Sequence, residues 1–249
     1  MKRLLLLFAL FASTVLVSAQ DTTKVATTDS SKAESKFKTS VAIATRNVTR
    51  GVNFASSPSV MAEVSYQVCS HFEVGGNGTT TTNGTAAGYG NTINLFGDVK
   101  LANHLSVRVT DYFFMGTGIN DYLYEYGKGK GDGHFDEVSL CYKNDEFKVF
   151  AAYCFYSTKF ESEANKGIYF EAEYNFGQGV SGTIGYISDQ SALNFYSKSG
   201  FSTVALNYEW AKFGGKFKGS LIINPNYKNV TISEGVSASP ATAVLSYTL

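Results

Sequence analysis

The sequence predicts an all-β protein: a transmembrane antiparallel up-and-down β-barrel of about 12 strands. Three observations carry this expectation. Glycine, phenylalanine and tyrosine number 24, 19 and 16 against only three prolines in 249 residues, and no apolar run beyond residue 20 has helical periodicity. From Phe37 onward the chain resolves into runs of about ten residues with two-residue alternation, an even number of them. The connections alternate strictly between short and long, as they do when a barrel crosses a membrane with tight turns on one side and long loops on the other.

The first element is a leader. In MKRLLLLFALFASTVLVSAQ, Lys2 and Arg3 precede an apolar run from Leu4 to Val17, and Val17-Ser18-Ala19 forms a small-residue cleavage site. This is the pattern of a secretory signal peptide over residues 1–19. The run falls short of the roughly 18 to 20 residues of a spanning helix. No cysteine precedes Cys69, which argues against a lipidated N-terminus. Residues 20–35, QDTTKVATTDSSKAES, offer almost nothing to bury and are expected to form a disordered periplasmic tail.

The barrel is expected over residues 36–249, with strands at 37–47, 58–67, 70–79, 91–100, 104–114, 134–143, 147–157, 167–176, 179–188, 201–210, 215–224 and 241–249. Alternation is clearest where Leu105, Val107 and Val109 interleave with Ser106, Arg108 and Thr110. It is equally clear where Val204, Leu206, Tyr208 and Trp210 interleave with Thr203, Ala205, Asn207 and Glu209. Tight links follow the even strands, around residues 69, 102–103, 144–145, 177–178 and 212–214. Long links rich in Gly, Ser, Thr, Asn and Asp follow the odd ones, at 48–57, 80–90, 115–133, 158–166, 189–200 and 225–240, and are expected to be external. Tyr66, Tyr174, Phe176, Tyr208, Trp210 and Tyr247 fall on the apolar phase near the short-turn end, where an interfacial aromatic girdle belongs. The competing fold is a secreted β-sandwich or lipocalin-like barrel. Alternation alone does not say which face is inside; loop parity and aromatic placement favour the membrane barrel. Asp111 breaks the pattern, since alternation from Val109 puts it on the lipid face.

The opening strands, TRNVTRGVNFASSPSVMAEVSYQVCSHFEVGGNGT, are similar to those of TorF-family outer-membrane porins, in which an early strand ends in Arg-Gly before a short polar loop; here that pair is Arg50-Gly51. The later segments HFDEVSLCYKNDEFKVFAAYCFYS and GIYFEAEYNFGQGVSGTIGYISD resemble the paired strands that follow in that family. This chain departs from it in lacking aromatics before Arg-Gly, and it ends in Leu249 where outer-membrane barrels commonly end in Phe. The resemblance implies an outer-membrane barrel with a pore role.

The polar phase then becomes a lumen lining. Arg46, Glu63, Glu73, Asp98, Lys100, Arg108, Glu137, Glu171, Glu173, Glu209, Lys216 and Lys218 are expected to project inward. There their charges need water or one another. The expected function is a small porin for passive diffusion of small hydrophilic solutes. The alternatives are a plugged structural or surface-interaction barrel, or an outer-membrane lipid-modifying enzyme. The expected location is the bacterial outer membrane. Expected partners are membrane lipids, lipopolysaccharide and the barrel-assembly machinery, without nucleic acid, cofactor or metal.

Chemical readings of the same residues are weaker. Glu171 and Glu173 sit two apart on one strand face, their carboxyls about 6 to 7 Å apart, near glycosidase spacing. The alternation with Phe170, Ala172 and Tyr174 explains them as a lumen row. His104-Leu105-Ser106 has the spacing of a barrel phospholipase pair, but lies at the short-turn end and on the lumen phase. GKGKGDG at 127–133 lacks the Lys-Ser/Thr of a phosphate loop. Asn77, Asn83 and Asn229 open glycosylation sequons that read as loop composition. Cys69, Cys141 and Cys154 have no paired spacing and read as free packing residues.

Overall fold

The computed structural model of the chain describes residues 36–55, 57–82, 90–115, 134–157, 167–188, 196–230 and 237–249. Twelve strands close into one antiparallel barrel. They are β1 (Phe37–Ala44), β4 (Ser59–Cys69), β5 (Phe72–Thr81), β6 (Thr92–Ala102), β7 (Leu105–Phe114), β8 (His134–Lys143), β9 (Phe147–Ser157), β10 (Ile168–Gly177), β11 (Val180–Ile187), β12 (Gly200–Lys212), β13 (Gly215–Ile223) and β14 (Ala241–Thr248). Each pairs with its sequence neighbour, except that β1 pairs with β4 on one side and β14 on the other. Between β1 and β4 the chain forms a separate hairpin, β2 (Asn47–Thr49) and β3 (Val52–Ala55).

Burial decides which face of the sheet meets solvent and which meets lipid. Leu95, Val109, Leu140, Val149, Phe170, Ile184, Leu206, Leu221 and Leu245 are all exposed, whereas Ser65, Thr79, Thr92, Thr110, Ser139 and Asn207 on the opposite phase are buried. A water-soluble barrel would reverse this, because exposing an apolar band to water forfeits about 25 cal/mol for each Å². Turned outward, the same band meets hydrocarbon, and barrel closure satisfies the strand hydrogen bonds that lipid cannot. The chain is therefore a transmembrane barrel, and the lipocalin-like alternative is excluded.

At the short-turn end the outward aromatics form contact groups: Tyr174 with Phe176, Tyr208 with Trp210, Trp210 with Phe217, and Phe217 with Tyr247. Phe37 and Tyr66 stack across β1 and β4. The turns below them are tight. Phe213 (φ 55°) and Gly214 (φ 79°) join β12 to β13, the two positive φ values that a two-residue hairpin turn needs. Asn144 Oδ1 accepts from the backbone N–H groups of Glu146 and Phe147, closing the β8–β9 turn.

One expected external loop is not external. Residues 48–55 of that link build most of the β2–β3 hairpin, which folds back into the barrel, and Val52, Phe54 and Ala55 are buried there. Val52 and Phe54 join Phe114, Phe135, Ala152, Cys154, Tyr169 and Ile187 in an apolar core inside the barrel. The physical reason is that β3 carries apolar side chains on a segment too short to span the membrane, and the interior faces of β7–β11 supply matching apolar positions. Of the other long links, 83–89, 116–133, 158–166, 189–195 and 231–236 lie outside the described residues, and with them the glycine-rich segment 127–133 and Asn83.

The lipid-face position of Asp111 is real: it pairs in register with Asp136 of β8, and its Oδ1 lies 2.8 Å from His134 Nδ1. His134 is wholly buried on that outward side. The pair gives the carboxylate a hydrogen-bonded partner at the loop-side end of the barrel wall.

Candidate functional site in the barrel interior

The site is built around the turn of the inward hairpin. Arg50 (φ 52°) and Gly51 (φ 80°) form its two-residue turn, both with positive φ, the pattern that matches a right-twisted hairpin. Gly51 is required twice over. A side chain there would adopt a strained backbone, and its Cβ would lie 2.0 Å from the carbonyl oxygen of Ser202.

Arg50 is the anchor. Its Nη2 lies 2.8 Å from both carboxylate oxygens of Glu137 on β8. Its guanidinium carbon sits 4.6 Å above the Tyr169 ring of β10. The Arg50 and Glu137 side chains are 10% and 2% exposed, so this is a buried ion pair. The Arg50 carbonyl accepts from the Tyr196 hydroxyl at 3.2 Å, while Asn224 Nδ2 donates both to the Gly51 carbonyl (2.9 Å) and to Tyr196 Oη (2.8 Å). Burial pushes the Tyr196 phenol up from its ordinary pKa, so it remains a neutral donor near neutral pH. On the far strand, Asn53 exchanges two backbone hydrogen bonds with Ser237 just before β14. The hairpin is thus held on two sides, by β8–β10 through Arg50 and by the loop-side residues Tyr196, Asn224 and Ser237.

The polar network continues toward the short-turn end. Tyr169 Oη donates to Glu171 Oε2 at 2.7 Å, and Lys148 Nζ donates to Glu171 Oε1 at 3.0 Å. Glu173, one rung nearer the turn, accepts a 3.5 Å contact from Thr183 Oγ1. Both acids of the glycosidase-like spacing are therefore engaged by wall residues. On the opposite wall Arg108 Nε donates to Asp98 Oδ2 at 2.9 Å and lies 4.2 Å over the Phe96 ring. Lys38 Nζ donates to Glu73 Oε2 at 2.6 Å, and Lys218 lies 3.5 Å from Glu209. Glu63 faces inward opposite Asn77 and is exposed. Lys100 and Lys216 share the inward phase near the turns, opposite Ser106 and Ala211. Arg46 is not on a spanning strand: β1 ends at Ala44, and Arg46 is exposed in the bend leading to the hairpin. His104 sits in the β6–β7 turn with Nδ1 3.1 Å from the Lys143 carbonyl, so it and Ser106 form no pair.

Two interior glycines accept large neighbours. A Cβ on Gly185 would meet the Tyr169 hydroxyl at 2.6 Å, and one on Gly75 would meet the Phe96 ring at 2.5 Å. Gly185→Val is expected to displace Tyr169 from beneath Arg50 and cost about 1–3 kcal/mol through overpacking. The measurement is the temperature at which the fast-migrating folded band is lost on unheated gels, which falls relative to the unsubstituted protein.

Sequence reasoning placed Glu137 and Glu171 on the interior phase but missed Lys148, Tyr169, Tyr196 and Asn224, and with them Tyr112 of β7, whose hydroxyl donates to Glu137 Oε1 at 3.4 Å. The tyrosines look like generic barrel aromatics until their phase relative to the wall is known. The signal for the hairpin was present: Val48, Val52 and Phe54 alternate around Arg50-Gly51, a strand-turn-strand pattern inside a supposed loop.

Between the hairpin and the β4–β7 wall lies a cavity of about 220 Å³. Asn77, Thr79, Thr92 and Asn94 line it from the wall, and Arg50 and Phe54 from the hairpin. What the fold and interior define is a transmembrane β-barrel narrowed by an inward-folded hairpin and lined below it by charges. No family model and no curated protein matches the chain. Among solved structures it is similar to the KdgM porin, at 12% identity over 84% of this chain and 97% of that one, with a TM-score of 0.44. It is also similar to a triple mutant of the Rhodopseudomonas blastica porin, at 15% identity over 77% of this chain, TM-score 0.41, and to the outer membrane protein OprD from Pseudomonas aeruginosa, at 13% over 78%, TM-score 0.38. The chain spans only 55% and 59% of the lengths of those last two. At such identities and scores the likenesses fix neither solute nor mechanism.

Proposed function

We propose that this chain is a small porin-like channel of the bacterial outer membrane through which small hydrophilic solutes diffuse passively. In this reading the β2–β3 hairpin is the constriction. The observation that supports it is a hairpin pinned inside the barrel by a buried ion pair, with a cavity left beside it that Asn77, Thr79, Thr92 and Asn94 line on the wall side. An exposed inward carboxylate, Glu63, lies on the same wall as that cavity. The interior charges below the hairpin would set selectivity, since a solute crossing a narrow low-dielectric bore feels them strongly. Export by a cleaved leader at residues 1–19, a disordered tail at 20–35, insertion by the barrel-assembly machinery, contact with lipopolysaccharide and kinship with TorF-family porins belong to the same proposal, as does the absence of catalysis.

A second reading is favoured by the apolar core inside the barrel: the hairpin fills the loop-side half, and the protein is a plugged structural or surface-interaction barrel. Single-channel recording on the purified, reconstituted chain separates the two. Discrete potassium chloride steps of low conductance are expected. A well-folded barrel that passes no current overturns the channel reading and leaves the plug.

A further inference from the structure

Every inward-facing acid of the described strands but one has a base beside it. Lys38 donates to Glu73 at 2.6 Å, Arg108 to Asp98 at 2.9 Å and Lys148 to Glu171 at 3.0 Å. Glu173 stands in register with the same Lys148, Lys218 lies 3.5 Å from Glu209, and Glu137 holds Arg50. The exception is Glu63 on β4. Its cross-strand partners are Ser40 of β1 and Asn77 of β5, and along its own face the neighbours are Met61 and Ser65, all uncharged. Lys38, diagonal to it on β1, is bonded to Glu73. Among the described residues Glu63 has no hydrogen-bond or ion-pair partner, and its side chain is exposed on the inward side.

Its position gives that charge a consequence. Met61 and Asn77 both line the cavity between the hairpin and the β4–β7 wall. Residues directly opposite on paired strands have Cβ atoms about 4.5–5.5 Å apart, so Glu63 stands at the edge of the space that the hairpin leaves. Arg50, on the hairpin side of that space, is only 10% exposed, is neutralised by Glu137 and has the Tyr169 ring under its face. The unbalanced lysines lie farther off. Lys100 is six residues along β6 from Asn94, the partner of Asn77, or about 20 Å at the rise of a strand. Lys216 is three strands from Met61 along one rung, about 14 Å at the usual strand spacing. Lys143 ends β8 at its short turn. Salt screens charges over about 8 Å at physiological strength, so these lysines act at the short-turn mouth and Glu63 acts beside the hairpin.

We propose that Glu63 is the specificity-determining residue of the bore and makes passage beside the hairpin selective for small cations over anions. The proposal rests on the channel reading and gives it a residue and a sign. A carboxylate close to the path lowers the energy of a passing cation and raises that of an anion by a comparable amount, so a single unpaired charge counts twice in their ratio.

The test is the zero-current potential of the full refolded chain in a planar bilayer across a potassium chloride gradient, recorded with the conductance of the same preparation at low ionic strength, where screening is weakest. The unsubstituted protein is expected to favour potassium over chloride by roughly fivefold. Glu63→Gln keeps the shape and removes the charge, and is expected to bring the ratio close to that of the two ions in free solution. Glu63→Lys is expected to reverse the preference, and Lys100→Gln to leave it nearly unchanged. Glu63→Ser, matching its neighbour Ser65, serves as a second neutral variant should Glu63→Gln fail to give a folded band. If the protein conducts without preference, or prefers chloride, the proposal is overturned and the channel stands; a chloride preference would mean that Arg50 outweighs Glu63. A potassium preference that survives both neutral variants, or that Lys100→Gln alters more than they do, also overturns it. If a well-folded barrel passes no current, the channel reading falls and the proposal falls with it.

Discussion

Glu137→Gln is expected to loosen the β2–β3 hairpin and raise single-channel conductance several-fold. The side chain it replaces is 2% exposed and bonds the buried Arg50 guanidinium through both oxygens. Glutamine keeps the shape but offers one acceptor and no charge, so Arg50 is left buried without its counterion. Removing one partner of a buried pair costs about 3–5 kcal/mol, which is about two to nearly four orders of magnitude in the equilibrium between seated and released hairpin. Arg50→Ala acts from the other side, leaving Glu137 buried, and is expected to give the same direction. The double replacement Arg50→Met with Glu137→Leu removes both charges and fills their volume. It is expected to restore much of the seating, because two apolar groups of similar size can replace a buried pair at little cost. Single-channel recording and susceptibility of the hairpin to protease in detergent are the measurements. Conductance unchanged by Glu137→Gln and Arg50→Ala would show that the hairpin is held elsewhere, by Tyr196 and Asn224.

Gly51→Val is expected to prevent the hairpin from seating at all while leaving the barrel closed. The backbone there has φ 80°, and the position of a Cβ lies 2.0 Å from the Ser202 carbonyl. A β-branched residue at positive φ is a genuine outlier, and backbone oxygen does not yield as a flexible side-chain tip would. The substitution touches no pair of the twelve-stranded ladder, so heat-modifiable migration should persist while conductance rises beyond that of Glu137→Gln. Loss of the folded band altogether would mean that the apolar core around Val52 and Phe54 is needed to form the barrel and is more than a constriction within it.

The two predictions probe one hairpin, whose location was the largest departure from what the residues suggest. The strand phases were legible because two-residue alternation is a local property: Glu171 and Glu173 share a face with Tyr169, opposite Ile168, Phe170 and Ala172, however the sheet is arranged. The turns were legible for the same reason. The 48–57 segment misled because its length and its Asn, Ser and Gly content match an external loop, while its turn chemistry describes a hairpin without saying where the hairpin goes. The partners that hold it are distant in the chain. Glu137 is 87 residues from Arg50, and Asn224 is 173 from Gly51. No periodicity encodes contacts of that separation.

What the sequence by itself determined was a set of amphipathic strands of membrane-crossing length, their order, their two faces and the end at which the turns are tight. Those follow from covalent geometry and side-chain polarity within a few residues of each position. Only the tertiary structure decided which face is inside, which charges meet as pairs, and that the first long link returns into the bore. Closure of the sheet made one face concave and narrow. Within that limited volume the apolar side chains of a short hairpin pack against the wall rather than extend into water, and Arg50 and Glu137, once buried there, need each other.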